Sequence, residues 1–129
     1  MSPSSPRLVL VVEDNEDSQL LLDALLRDRY ELAMVGSGPE CLGWLDGHRP
    51  DLILMDASLP GMDGLELIKH VRERPGLGEL PVVALTARAM SGDRETFLAA
   101  GFDAYLSKPL VDEQLLFDTL DEQLQRNGS

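Results

Sequence analysis

Apolar residues in this chain fall into two kinds of run. Leu8-Val9-Leu10-Val11-Val12 is continuous, rich in β-branched side chains and free of polar alternation. That is the pattern of a strand buried on both faces of a parallel sheet. Leu32 to Val35, Leu52 to Met55 and Val82 to Leu85 repeat it, and Ala104 to Leu106 forms a shorter fifth run. Between these runs, apolar residues recur with the period of about 3.6 residues that marks one face of a helix. Leu21, Leu22, Leu25 and Leu26 define the first helix, and Leu116, Leu120 and Leu124 the last. Pro39 suits the first turn of a second helix, Gly64 to Arg72 predicts a third, and Ser91 to Ala100 a fourth that stops at Gly101.

Five strands alternating with five helices predict a doubly wound α/β domain, because parallel strands need crossovers and right-handed crossovers cover both faces of the sheet. The alternation gives the class and leaves the strand order open. In such folds ligands gather outside the carboxyl ends of the strands, near the point where the winding reverses.

Composition narrows the functions such a domain can have. A chain of 129 residues with 43% hydrophobic content can bury one core without disulfides or a structural metal. The formal net charge of −12 argues against nucleic acid and against an anionic membrane surface as direct partners. Cys41 is the only cysteine, which excludes an internal disulfide and a Cys/His zinc set and points to a reducing cytoplasm. Residues 1–6 read as a disordered Ser/Pro lead-in without the features of a secretory signal. No apolar run approaches the roughly 20 residues that span a bilayer, so no membrane insertion is expected.

The strand ends carry the candidate chemistry: Glu13 and Asp14 after the first, Asp56 at the end of the third, Thr86 after the fourth and Lys108 past the fifth. Each alone has an ordinary explanation. The acids after the first strand suit a helix start, Asp56 a turn before Leu59-Pro60-Gly61, Thr86 a cap, and Lys108 a surface position. Together they suit phosphoryl transfer. Mg²⁺ favours one or two carboxylates with waters and a phosphate oxygen, which Asp14 and Asp56 could supply with Glu13 holding a water. Three neighbouring carboxylates would otherwise repel one another. The Lys108 ammonium and Thr86 hydroxyl would face the equatorial phosphoryl oxygens, and a carboxylate nucleophile would yield an aspartyl phosphate.

Five stretches then align with one family. Val11-Val12-Glu13-Asp14-Asn15, Asp51-Leu52-Ile53-Leu54-Met55-Asp56, Leu59-Pro60-Gly61-Met62-Asp63-Gly64, Leu85-Thr86-Ala87 and Tyr105-Leu106-Ser107-Lys108-Pro109 stand in order along the chain. The sequence from about Leu8 to Leu124 resembles the receiver domains of two-component response regulators. The resemblance implies a flavodoxin-like five-stranded parallel sheet in the order 2-1-3-4-5, with residues 7–126 as the receiver and 127–129 as a tail. It implies Asp56 as phosphoacceptor, Glu13 and Asp14 as metal-site acids and the Ser58 backbone carbonyl as a further ligand to Mg²⁺, for which Mn²⁺ would substitute. Thr86 and Tyr105 would form the switch pair, and Lys108 would bind phosphate ahead of a cis peptide to Pro109. A histidine kinase or histidine phosphotransfer protein would donate the phosphoryl group, and a downstream protein would bind the face of the fourth helix, fifth strand and fifth helix.

The run Thr86-Ala87-Arg88-Ala89-Met90 is similar to that of phosphorelay and hybrid-kinase receivers. Arg88 and Ser58 would flank the mouth of the site. Only residues 126–129 follow the expected fifth helix, so no DNA-binding or enzymatic output domain is expected. Gly36 and Cys41 stand where the family usually carries alanines, which is expected to loosen packing around the second helix. A haloacid-dehalogenase-type phosphohydrolase would share the strand-end Asp, magnesium, Thr and Lys, yet needs a second acid where this chain has Ser58. A flavodoxin-like cofactor binder would need a phosphate-cradling loop where Glu13 and Asp14 repel phosphate. His48 and His70 read as surface or loop residues without carboxylates at ligand spacing, and Trp44 as a packing residue of the second helix.

Overall fold

A computed structural model describes residues 7–57, 64–86, 93–107 and 113–128. Strands β1 (Leu8–Val12), β2 (Glu31–Val35), β3 (Leu52–Asp56), β4 (Val82–Thr86) and β5 (Ala104–Ser107) alternate with helices α1 (Glu16–Leu26), α2 (Gly38–Leu45), α3 (Gly64–Glu73), α4 (Asp93–Ala100) and α5 (Glu113–Gly128). The strands form one parallel sheet in the order β2-β1-β3-β4-β5, as the family resemblance implies.

The continuous apolar runs follow from this topology. Side chains alternate across a strand, and both faces of the central strands are covered. Val9, Val11, Leu52, Leu54, Val83 and Leu85 pack with Leu22 and Leu26 of α1 and Leu116, Leu120 and Leu124 of α5. Their neighbours Leu10, Val12, Ile53, Met55, Val82 and Ala84 pack on the other face with residues of α2, α3 and α4, among them Cys41, Leu67, Ile68 and Phe97. Every residue of β3 and β4 is buried.

Several expectations shift in detail. Leu21 is 47% exposed and lies outside the buried stripe of α1, which is formed by Leu22 and Leu26 with Leu25 partly covered. Successive helical residues turn by about 100°, so a helix resting on Leu22 and Leu26 turns Leu21 toward water. Thr86 is the last residue of β4 rather than a residue beyond it, while Asp56 ends β3 as expected. Helix α5 reaches Gly128, so residues 127 and 128, expected as tail, are helical. Pro39 lies in the first turn of α2, and α4 ends before Gly101, whose φ of +121° favours glycine.

Packing around α2 is tight rather than loosened. Cys41 is fully buried in the core, and burial pushes its thiol up to about 12, which keeps it neutral and unreactive at ordinary pH. At Gly36 the backbone N–H donates to Glu40 Oε1 at 2.7 Å, and an added Cβ would stand 3.3 Å from that oxygen.

At the amino end of β4 and β5, Arg72 binds the fold together. Its Nε donates to the Gly101 carbonyl at 3.1 Å, Nη1 to the carbonyls of Leu77 and Leu80, and Nη2 to Gly101 and to Asp103 Oδ2 at 3.0 Å. Asp103 also accepts from the Val82 N–H at 2.8 Å. Across the sheet, the Tyr30 hydroxyl donates to Asp121 of α5, and Arg29 lies 4.0 Å from the centre of the Phe117 ring. Burial, and then this bond to Asp121, raise the Tyr30 pKa above its ordinary value.

Candidate phosphoacceptor site

The ends of β1 and β3 are adjacent in the sheet, with Val12 in register with Met55. Chain direction therefore delivers Glu13, Asp14 and Asp56 to one edge. One carboxylate oxygen from each lies within 4.8 Å of the others. Glu13 and Asp56 are buried, and Asp14 is exposed.

The acidic loop is held by its own hydrogen bonds. The Glu13 N–H donates to the Val35 carbonyl at 3.0 Å, tying the loop to β2. Glu13 Oε2 accepts from the Asn15 N–H at 3.2 Å, and Asn15 Oδ1 caps α1 by accepting from the Ser18 N–H at 3.0 Å. Gln19 reaches back from α1 to donate to the Glu13 carbonyl at 2.5 Å. Gln19 was not singled out from the sequence. Its signal is its place one turn after the capping Asn15, where a side chain on the first turn can face the loop.

The end of β3 is fixed as closely. The Ala57 N–H donates to the Leu85 carbonyl at 2.8 Å, and the Gly64 N–H donates to the Ala57 carbonyl at 3.1 Å. A Cβ on Gly64 would lie 2.8 Å from the Ala57 Cα, closer than real Cβ contacts come. Gly64 is therefore what lets α3 begin against the residue that follows Asp56. Gly64→Ala is expected to cost about 1–3 kcal/mol, the usual range for overpacking, and to lower Mg²⁺ affinity by displacing the end of β3. Chemical denaturation and metal titration check this; unchanged stability and affinity would show that the contact yields freely.

Thr86 ends β4 and is buried. It pairs in register with Ser107, while Tyr105 pairs with Ala84. Thr86 and Tyr105 are thus not register partners, but with side-chain alternation they face the same side of the sheet. Tyr105 is half-buried, and its ring centre lies 6.1 Å from that of Phe97 in α4. Ser58, Arg88, Lys108 and Pro109, including the Lys108–Pro109 peptide, lie outside the described residues.

Other candidates separate clearly. His48 follows α2 and stacks on Trp44 with ring centres 4.6 Å apart, its Nδ1 3.0 Å from the Trp44 carbonyl. His70, expected to lack carboxylate neighbours, has Glu66 and Glu73 each at 4.0 Å. These are neighbours four and three residues away on the exposed face of α3, which helical spacing brings together.

A donor set of three carboxylates suits a hard divalent cation such as Mg²⁺. Two unit charges 4.8 Å apart repel by about 3.5 kcal/mol at an effective dielectric of about 20, so positive charge in this ring is strongly favoured. The exposed edge at Asp14 leaves room for the waters that Mg²⁺ retains.

Comparison with known proteins identifies the family. The family model described as response regulator receiver domain matches residues 9–120. The polar-differentiation response regulator DivK of Brucella anthropi is 43% identical over 106 residues, covering 81% of this chain and 86% of the relative. Among solved structures, a putative response regulator from Chloroflexus aurantiacus superposes with a TM-score of 0.88 at 33% identity, covering 94% of this chain and 99% of the other. The receiver domain of the sensor histidine kinase PA1611 from Pseudomonas aeruginosa superposes with a TM-score of 0.85 at 34% identity, with the same coverage, and holds a magnesium ion in its active-site cleft.

Proposed function

Because the chain belongs to the receiver domains of response regulators, we propose that Asp56 accepts a phosphoryl group from a phosphohistidine donor and that this changes the surface the domain offers to a downstream protein. The observation that supports this best is the clustering of Glu13, Asp14 and Asp56 at the carboxyl edge of the sheet. Receiver domains are signalling modules rather than turnover enzymes, which sets aside the phosphohydrolase alternative.

Glu13, Asp14 and Asp56, with the Ser58 carbonyl, would hold Mg²⁺ or, in its place, Mn²⁺. When bound, the ion supplies positive charge to the phosphoryl oxygens. Asp56 attacks phosphorus through one carboxylate oxygen. The phosphorus–nitrogen bond to the donor histidine breaks as the phosphorus–oxygen bond forms, and the freed imidazole regains a proton. Lys108 pairs with a phosphoryl oxygen, and the Thr86 hydroxyl donates to another. The donor is a histidine kinase or a histidine phosphotransfer protein, and the setting is the cytoplasm. Among the described residues no helix is long and apolar enough to cross a membrane.

Movement of Thr86 toward the phosphoryl group would open space on the face it shares with Tyr105. Turning the Tyr105 ring inward would reshape α4, β5 and α5, with phosphorylation shifting the balance between two conformations already present.

Aspartyl phosphate is an acyl phosphate, so hydroxylamine should cleave it and leave a hydroxamate. After incubation with acetyl phosphate and Mg²⁺, peptide mass analysis should place that hydroxamate on residue 56. A hydroxylamine-stable phosphoserine or phosphothreonine would overturn the proposal.

A further inference from the structure

On the opposite edge from the carboxylates, at the amino ends of β4 and β5, lies a cavity of about 640 Å³. This is within the range of roughly 300–1,000 Å³ usual for small-molecule sites. Arg72, Glu79, Pro81, Leu98, Phe102 and Gln123 are among the residues that line it.

The cavity contains a polar group that the fold does not use. Gln123 of α5 is only 4% exposed, and no hydrogen bond among the described residues engages its carboxamide. Its amide atoms are not sealed from solvent, so the carboxamide opens onto the cavity, where a ligand can take the place of water. Leu98 is 39% exposed and contributes an apolar wall.

The charges select the ligand's sign. Arg72 looks like an anion site, but its five N–H groups are all taken by the carbonyls of Leu77, Leu80 and Gly101 and by Asp103. Asp103 also matches its charge, at 3.0 Å. The exposed Glu79 carboxylate makes no ion pair among the described residues, which leaves the cavity with one net negative charge on a chain of formal charge −12.

We propose that this cavity is a binding site for a small organic cation, an amine or amidine carried on a flat apolar body, with Glu79 facing the charge, Gln123 hydrogen-bonding the head group and Leu98 covering the body. The site is connected to the switch. The Phe102 ring packs edge-on against Phe97 at 5.7 Å, and Phe97 lies 6.1 Å from Tyr105. Occupancy beside Phe102 therefore bears on the Tyr105 ring through two ring contacts. That coupling rests on Tyr105 being the switch residue proposed above, whereas binding itself does not.

Benzamidine is a suitable probe, with benzoate as the anionic control, titrated into the unphosphorylated protein without Mg²⁺ and followed by NMR. Saturable shifts in the millimolar range are expected at Leu98, Phe102 and the Gln123 carboxamide, extending to the aromatic signals of Phe97 and Tyr105. Glu79→Gln, an exposed change that leaves the core untouched, and Gln123→Leu should each weaken binding by about tenfold. No saturable binding, equal binding of benzoate, or affinity unchanged in both variants would overturn the site. Binding that leaves Tyr105 unmoved would overturn the coupling alone. Because no phosphoryl group is present, failure here is distinguishable from failure of the Asp56 assignment.

Discussion

Asp14→Ala should weaken Mg²⁺ binding to the unphosphorylated domain by about 10–100-fold, a loss typical even for groups one step removed from a metal. Asp14 is the exposed member of the cluster, while Glu13 and Asp56 are buried. Its removal therefore takes away a proposed ligand without opening a cavity in the core. The acidic loop should keep its shape, because its backbone is held through Glu13, Asn15 and Gln19 rather than through Asp14. Calorimetric titration compares the two proteins directly. Retained affinity would place the ion elsewhere, and lost affinity with a collapsed fold would make Asp14 a structural residue.

The largest loss of stability is expected far from that site. Arg72→Met keeps much of the side chain's length but removes five donated hydrogen bonds and leaves Asp103 without its ion pair. Breaking a buried pair by removing one partner costs roughly 3–5 kcal/mol. The side chains of Arg72 and Asp103 retain 18% and 31% exposure, so about 3 kcal/mol, the lower end of that range, is expected. The Gly101, Leu77 and Leu80 carbonyls also lose their donor. Urea denaturation should show the midpoint falling with little change in slope. A loss below about 1 kcal/mol would mean that water replaces the guanidinium there, as it does for exposed pairs.

Much of the fold was legible because the central strands are buried on both faces. β3 and β4 could be read from unbroken apolar runs, and their buried patterns show why no alternation was present. Strand order was not in the period and came only through the family motifs. Within α1 the spacing predicts one stripe of four leucines, yet Leu21 is exposed. Two adjacent leucine pairs do not reveal which pair faces the sheet.

At the site, Glu13, Asp14 and Asp56 were legible because acids that follow apolar strands have few ordinary uses in such number. Gln19 and the close approach of Gly64 to Ala57 were not. They act through contacts between elements, which depend on how α1 and α3 sit against the strand ends. The network of Arg72 was hidden for the same reason, since its carbonyl partners carry no side-chain signal. His70 lies on the surface as expected, but its neighbours Glu66 and Glu73 emerge only when helical spacing is applied to α3.

The most direct test of phosphorylation at Asp56 is intact-mass analysis of the parent and Asp56→Asn proteins, each incubated with acetyl phosphate and Mg²⁺. One added phosphoryl group on the parent and none on Asp56→Asn is the expected result, with no addition to either when Mg²⁺ is chelated. Equal labelling of both proteins would contradict the assignment, as would a parent protein that takes up no phosphoryl group.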